Sequence, residues 1–320
     1  MKIRTLIAAT ATLAALAAWP VASQSTADFP TKAMTYIIPF DAGGESDISA
    51  RFQQSVWKKY TGQDVIIQYQ PGAGGAQAWS QLNDIAGDGY TIMGINLPHT
   101  ILQPMEGNVG YTTDDLTPVN YFHYTPNAIL VPADSEFKTL QDLIDYAKSN
   151  PGMVTFAGSG SKSANNLAQA QFDAAAGTTT TYVPFSGTGP SITAVLGKQT
   201  TAGFNYATSA IAQGDALRIL AVAAEERMPA FPDVPTFKEL GLDLVGGAYR
   251  GVAVPASTPE DLRQRISDIV SEINADPDFV KKMEDGGFVL TDFTYDKMPE
   301  FIARMKEEYA TSAKALGIGQ

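Results

Sequence analysis

Short apolar runs and amphipathic segments alternate along the first third of the chain. Ile48, Phe52 and Val56 recur every four residues, which is the spacing of one helix face. Three runs around this segment are short, apolar and rich in Ile, which favours buried strands: residues 36–38, 65–67 and 91–95. This alternation of strand and helix predicts a mainly parallel sheet with helices on both faces.

The same alternation resumes from residue 128. Thr139 and Asp142 are spaced as in a capping box, and an apolar helical stripe follows them. Residues 167–176 favour a further helix. Strand-like runs lie around these helices: residues 128–131, 154–157, 182–185 and 219–222. The middle of the chain therefore predicts a second α/β unit similar in size to the first.

The last quarter of the sequence favours helices. Thr258 is placed to cap a helix in which Pro259 is the first residue. Apolar positions at helical spacing continue to residue 273 and return between residues 298 and 309. Two α/β units and a final segment that must pack somewhere predict an α/β protein with two lobes and a cleft between them.

The N-terminus has the pattern of a secretory signal peptide. Lys2 and Arg4 precede an apolar stretch at residues 6–19, and Pro-Val-Ala-Ser at residues 20–23 resembles a cleavage site. The stretch is shorter than the roughly 20 apolar residues of a membrane-spanning helix. Residues 1–23 are therefore predicted to be removed on export. Because the chain contains 0 Cys, no lipid can be attached through one, and we expect a soluble protein outside the cytoplasmic membrane.

Composition and charge narrow the possible partners. The chain carries 22 Lys and Arg against 34 Asp and Glu, and loss of Lys2 and Arg4 changes the net charge from -12 to -14 (20 against 34). Such a chain is unsuited to nucleic acid and to anionic membrane surfaces. A small anionic ligand remains possible, because backbone N–H groups can make one site positive.

The first candidate site is the loop at residues 39–47, which joins a predicted strand to a predicted helix. Gly residues leave its N–H groups uncovered and the helix N-terminus adds partial positive charge, which suits a carboxylate or phosphate. Ser46 and Asp47 fit equally well as helix caps, and one residue can serve both roles. The ligand-binding residues predicted in this loop are Phe40, Ala42, Gly43, Gly44, Ser46 and Asp47.

Two further Gly-rich loops follow strands in the second unit. Residues 184–191 repeat the design of the first loop, so the two loops could hold one anion from both sides of a cleft. Residues 158–163 add hydroxyl groups, although an ST-turn that caps the next helix explains any single serine there somewhat better. The ligand-binding residues predicted in these loops are Phe185, Gly187, Thr188, Gly189, Ser159 and Ser161.

Catalytic and metal sites find little support in the sequence. His99 and His123 are the only histidines, and neither accompanies a nucleophile motif. The absence of Cys and of a His pair at helical spacing argues against a metal site. The sequence does not exclude an acid–base pair formed by residues that are distant in the chain and close in the fold. We expect a protein that is not an enzyme and that uses no metal or cofactor.

Motifs in a specific order resemble the substrate-binding proteins of tripartite tricarboxylate transporters, the Bug family, over nearly the whole mature chain. Residues 37–51 resemble the family's I-V-P-F-x-x-G-G-x-x-D-x-x-A-R, and residues 71–75 its P-G-A-G-G. Further resemblances lie at residues 88–91 (D-G-Y-T), 185–190, 218–222 and 231–236.

This resemblance implies a periplasmic binding protein fold, with a mostly parallel sheet flanked by helices in each lobe. One domain would comprise residues 24–125 and 248–320, and the other residues 126–247. Such proteins close on a di- or tricarboxylate or an aromatic carboxylate and deliver it to a membrane permease. Backbone N–H groups and bridging water from two strand–helix loops hold the carboxylate, and these loops match residues 40–47 and 185–189. The implied protein is a periplasmic monomer.

Some positions depart from the family pattern, and they leave the ligand open. Asn166 replaces a frequent His, Ser186 a frequent Lys, and Arg250 the usual Trp or Phe. Arg250 is either a counter-charge for a second carboxylate or, as we favour at this point, part of a surface or interdomain salt bridge. Two other functions remain as alternatives, namely ligand sensing for a membrane sensor kinase and an exported hydrolase or isomerase.

Overall fold

The computed structural model describes residues 28–317, so the predicted signal peptide at residues 1–23 lies outside the described part of the chain. The strands are β1 Met34–Ile38, β2 Val65–Tyr69, β3 Thr91–Leu97, β4 Thr117–Pro132, β5 Thr155–Gly158, β6 Thr181–Pro184, β7 Ala202–Tyr206, β8 Leu217–Val222, β9 Gly247–Val254 and β10 Val289–Phe293. The helices are α1 Glu45–Thr61, α2 Ala76–Trp79, α3 His99–Glu106, α4 Leu140–Ser149, α5 Ala164–Ala176, α6 Thr188–Leu196, α7 Ala207–Gln213, α8 Glu260–Asn274, α9 Pro277–Asp285 and α10 Met298–Ser312.

The strands form one 10-stranded sheet in the order β2-β1-β3-β9-β4-β7-β5-β6, with β8 and β10 also paired to β4. β1 is parallel to β2 and β3, and β5 is parallel to β6 and β7, as the alternation of strands and helices predicts. Antiparallel pairing joins these two groups, because β4 pairs with β9 along its first part and with β7 and β8 along its last part. The chain therefore has two α/β halves connected through β4 and β9.

Separate apolar clusters stabilise the two halves. The largest cluster draws on residues 29–122 and 252–313, together with Leu167, and we call this half the first lobe. Two further clusters lie within residues 128–244, which we call the second lobe. The domain limits at residues 24–125 with 248–320, and 126–247, stay a prediction. No helix within residues 28–317 has the length and apolar character needed to cross a membrane.

Of two helix starts predicted from capping residues, one is confirmed and one is wrong. The capping box of α4 is confirmed, since Thr139 Oγ1 accepts from Asp142 N at 3.2 Å and the Asp142 carboxylate accepts from Thr139 N at 2.9 Å. The predicted cap at Thr258 is wrong. Pro259 has an extended backbone (ψ 148°) and takes the N-cap position, so α8 begins one residue later, at Glu260.

Asp276 joins two elements of the first lobe. Its Oδ1 caps α9 by accepting from the backbone N–H of Asp278 at 2.8 Å and of Phe279 at 3.1 Å. Its Oδ2 accepts from Lys59 Nζ at 2.6 Å and from the Tyr60 hydroxyl at 2.8 Å, both on α1. These bonds, the one from Lys59 above all, lower the pKa of Asp276 to about 2.

We expect Asp276→Asn to lower the free energy of unfolding at pH 7 by about 1–2 kcal/mol. Asn keeps an oxygen that can cap α9, but it loses the negative charge that pairs with Lys59 and complements the helix N-terminus. The folded pKa of about 2 lies below the ordinary 3.8, so the carboxylate stabilises the fold above that range. This stabilisation is lost as the pH falls from about 4 towards 2. Urea unfolding across this window should therefore show a steeper loss for the wild type than for Asp276→Asn. Parallel pH profiles for the two proteins would contradict this role.

Candidate ligand-binding cleft

The first two candidate loops meet where the lobes face each other. A Cβ placed on Gly189 would lie 2.7 Å from Ala42 O, and one on Gly44 would lie 3.3 Å from Thr188 Cβ. Cβ atoms do not approach backbone oxygen as closely as 2.7 Å, so the bare glycine at residue 189 permits this contact. The sequence placed these loops in different lobes, and the structure brings their backbones into contact.

The third loop closes against the first lobe in the same way. A Cβ on Gly160 would lie 2.8 Å from Gly74 Cα, and φ at Gly160 is +94°, which favours glycine. The single Lys of the candidate loops also contributes to closure. Polar contacts between the lobes run from Ser186 to Asp41, from Thr208 to Glu45 and from Lys162 to Glu106. The cleft is therefore closed in this structure.

A small cavity remains between the closed loops, and we call it the inner cavity. Its volume is about 10 Å³, which is close to what one water molecule needs. The residues predicted from sequence that line it are Phe40, Gly44, Ser46, Asp47, Ser159 and Thr188. The lining residues not predicted as ligand-binding are Asp41, Glu45, Asn96, His99 and Arg250.

The remaining predicted residues lie next to the inner cavity. Ser161 and Phe185 line an outer pocket of about 490 Å³. Gly43 and Gly189 line a smaller pocket of about 60 Å³, and Ala42 lies at the contact with Gly189. A Cβ on Gly187 would meet the Asp41 backbone N at 3.4 Å, so Gly187 also lies at the loop contact.

A further cavity of about 540 Å³ lies in the first lobe against α10. Met298, Ile302 and Lys306 line it, together with residues of β3 and β4. It contains none of the loop residues predicted from sequence, and its walls belong to one lobe only. It is therefore separate from the cleft, and the ligand site is better sought between the lobes.

Three helices begin at the inner cavity, since Glu45 is the first residue of α1, His99 of α3 and Thr188 of α6. None of these helices has a side-chain cap, because the N-cap positions are held by Gly44, Pro98 and Gly187. Uncapped N-termini present unpaired N–H groups and partial positive charge. The arrangement suits a bound anion.

Asp47 is not free to repel such an anion. Its Oδ1 pairs with Arg51 Nε at 2.8 Å and accepts from the Tyr69 hydroxyl at 2.7 Å. Its Oδ2 accepts from the backbone N–H of Gly43 at 2.8 Å, which holds the turn of the first loop. Ser46 does not cap α1, and its hydroxyl lies 3.4 Å from Asn96 Nδ2 at the cavity wall.

Arg250 lies at the base of the cleft and is 3% exposed. β9 is central in the sheet, and its register places Arg250 opposite Asn96 of β3 and His123 of β4. A guanidinium NH group donates to Thr125 Oγ1 at 3.1 Å, and the guanidinium carbon lies 4.4 Å from the centre of the Tyr206 ring.

Among the ion pairs of residues 28–317, none includes Arg250. The interpretation of Arg250 as part of a surface or interdomain salt bridge is therefore wrong. The reason is the position of β9 between two other strands, which directs the side chain into the cleft and away from the charged surface.

Glu45 is the other buried charged group that is not neutralised by an ion pair at the inner cavity. Its Oε1 accepts a hydrogen bond from Thr208, whereas its Oε2 is buried without a hydrogen-bond partner. Burial raises the pKa of the Glu45 carboxyl, and the positive charge of Arg250 opposes that increase. The carboxyl therefore gains a proton more readily than an exposed glutamate does.

The two histidines are buried and neutral near pH 7. Burial, helped by the charge of Arg250, lowers the pKa of His99 to about 3 and that of His123 well below 6.5. Neither can add positive charge to the cleft. Within residues 28–317, no group of three or more His, Cys, Asp or Glu side chains is arranged to hold a metal ion.

Sequence reasoning missed Asn96 and His99, although a signal for them was present. Asn96 lies near the carboxyl end of β3 and His99 lies two residues beyond it, and ligands of parallel sheets bind beyond the carboxyl ends of the strands. The sequence contained a weaker indication for Arg250, because only the position of β9 in the sheet shows that this side chain lies in the cleft.

Residues 49–317 match the sequence profile of a family described as "Tripartite tricarboxylate transporter family receptor". The chain is 34% identical to a UPF0065 protein of Cupriavidus necator encoded in the gbd 5' region, over 82% of this chain and 80% of that protein. It is 26% identical to MatC of Rhodopseudomonas palustris, solved with bound malate, with a TM-score of 0.82 over 89% of this chain and 100% of that chain. A second R. palustris protein, solved with adipate, shares the fold at 24% identity, with a TM-score of 0.85 over 91% of this chain and 99% of that chain.

Proposed function

The chain belongs to the tripartite tricarboxylate transporter receptor family, and from this premise we propose that it captures a small organic carboxylate in the periplasm. The observation that carries the proposal is the inner cavity, where uncapped N-termini of α1 and α6 from opposite lobes converge. Malate bound to the similar MatC protein supports the same class of ligand. Release of the ligand to a membrane permease completes the proposed role.

One carboxylate would be held by backbone N–H groups of the first and second loops and by nearby hydroxyl groups. Hydrogen bonds to a charged acceptor contribute about 1.5–3 kcal/mol each. Several of them on one carboxylate are compatible with micromolar affinity, about -8.2 kcal/mol, after the costs of ordering. The proposed contacts come from Phe40, Ala42, Gly43, Gly44, Ser46, Asp47, Ser159, Ser161, Phe185, Gly187, Thr188 and Gly189.

Ligand entry requires the lobes to separate, because the inner cavity has room for about one water molecule. The proposed rigid bodies are residues 24–125 with 248–320, and residues 126–247. β4 and β9 cross between them and would bend at the hinge. Export by the signal peptide at residues 1–23 and action as a monomer belong to the same proposal.

Binding, and not catalysis, is the proposed activity. His99 at the inner cavity is neutral, Asp47 is already paired with Arg51, and the matching family is described as a receptor. Ligand sensing for a membrane kinase would use the same cleft. The family match to a transporter receptor favours transport over sensing.

The protein should be stabilised by a few carboxylates and not by their amides. Ligand at a hundredfold excess over its dissociation constant adds about 2.7 kcal/mol to the free energy of unfolding. An amide places an NH₂ donor against the N–H donors of the loops, so its affinity should fall sharply. Mass spectrometry of ligand released on denaturation identifies candidates, and thermal melting with each acid and its amide tests them. Stabilisation by sugars or cations alone would refute a carboxylate site.

A further inference from the structure

A buried guanidinium without an ion pair destabilises the folded protein. Its position at the base of the cleft therefore suggests that a negatively charged ligand group pairs with it. Arg250 is 3% exposed, and its Nε has no hydrogen-bond partner. Among the described residues that line the inner cavity, Arg250 is the single Lys or Arg. Its positive charge therefore faces the space that a ligand would enter.

Within the described chain, none of the acidic residues that line the cavity forms an ion pair with Arg250. Asp47 is paired with Arg51 at 2.8 Å, and Asp41 accepts from Ser186. Glu45 accepts from Thr208 across the cleft. The charge of Arg250 acts on the Glu45 carboxyl, but its other oxygen has no hydrogen-bond partner and the two residues form no ion pair. The guanidinium contacts the neutral groups Thr125 and Tyr206.

We propose that Arg250 selects ligands with two acidic groups by pairing with the second one. This inference rests on the proposed function, because it takes the first carboxylate to be held at the uncapped starts of α1 and α6. Arg250 lies on β9 and not on either loop, but it lines the same inner cavity as both loops. When the lobes separate, a ligand with two acidic groups can place one at the helix starts and the other at the guanidinium. The planar guanidinium suits a carboxylate because two parallel N–H bonds can form.

The Thr125 and Tyr206 contacts support this role by fixing the side chain. The hydrogen bond to Thr125 occupies one NH group, and the Tyr206 ring packs against the guanidinium face. The guanidinium edge that carries the unpaired Nε is then held in one orientation. A ligand carboxylate would meet a donor that loses little freedom on binding.

The test measures selectivity by titration calorimetry with paired probes. Straight-chain diacids from succinate to suberate are each compared with the monoacid of the same length, such as adipate with hexanoate. Malate is compared with 2-hydroxybutyrate. The wild type should bind at least one diacid more tightly than its partner. Arg250→Gln should weaken that diacid by roughly 10- to 100-fold, the range of a hydrogen bond to a charged group, and leave the monoacid nearly unchanged.

Two further variants separate selectivity from folding. Arg250→Lys keeps the positive charge but loses the planar guanidinium that can form two parallel hydrogen bonds. It should therefore lose less affinity for the diacid than Arg250→Gln does. Arg227→Gln changes an exposed arginine of the second lobe, paired with Glu239, and should leave every affinity unchanged. Equal losses for diacid and monoacid in Arg250→Gln would overturn the inference.

The outcomes distinguish this inference from the function on which it rests. A wild type that binds monoacids as tightly as diacids removes the selective role of Arg250 and leaves the carboxylate function standing. A wild type that binds none of the acids overturns both.

Discussion

Replacing Gly189 by Val should lower ligand affinity by more than about 100-fold, because it removes at least one lobe's hydrogen bonds to a charged group. A Cβ at residue 189 would lie 2.7 Å from Ala42 O, so the second loop could not reach the first. The obstructing atom belongs to the backbone of the opposite lobe and cannot rotate away. The lobes would then be held apart, and a ligand would contact one of them at a time.

The fold itself should survive this change. Gly189 is the second residue of α6, and the obstruction lies between the lobes, not inside either core. Titration with the carboxylate released from the purified wild type measures the affinity, and thermal melting without ligand measures the fold. Gly107→Val is a matched control, since a Cβ there meets nothing within 4 Å. Unchanged affinity in Gly189→Val would show that the closed cleft is not the binding state.

Replacing Phe204 by Ala should cost about 3–5 kcal/mol of stability, as truncation of a buried Phe usually does. Phe204 is 0% exposed on β7 at the centre of the second lobe. Its ring lies 5.0 Å from that of Phe156, 5.9 Å from Phe172 and 6.2 Å from Phe237. No neighbour can fill the resulting space without leaving another of these ring contacts.

Because the apolar clusters of the two lobes are separate, the loss should fall mainly on the second lobe. Urea unfolding followed by circular dichroism should show an earlier transition, and binding should be lost with it. Tyr146→Ala is the matched control, since Tyr146 is 38% exposed on α4. A cost for Phe204→Ala no greater than that for Tyr146→Ala would contradict the proposed ring cluster.

Short-range signals in the sequence predicted a large part of this fold. The apolar run at residues 36–38 lies in β1, and the Thr139 capping box begins α4, because burial and capping depend on neighbours within a few residues. The Gly loops at residues 39–47 and 184–191 were recognised for the same reason. Position after a strand, bare glycines and a helix start are all visible locally.

Local sequence patterns did not predict the long strands that connect the two lobes. Only residues 128–131 of β4 were predicted as a strand, whereas β4 covers Thr117–Pro132, and β9 and β10 were not predicted at all. Their pairing joins residues more than a hundred positions apart, such as His123 with Arg250. Hydrophobic periodicity within a short window cannot identify such partners, because the hydrogen bonds that stabilise these strands come from distant parts of the chain.

The sequence by itself thus determined two α/β units, a family resemblance and two anion-suited loops. The tertiary structure decided which atoms share the cavity. Asn96, His99 and Arg250 line it because the ends of β3 and the middle of β9 lie at the base of the cleft. The sequence shows the charge and residue type of each of these side chains, but it does not show which of them are buried. An arginine that would form a salt bridge at the surface is left without one when strand order places it inside.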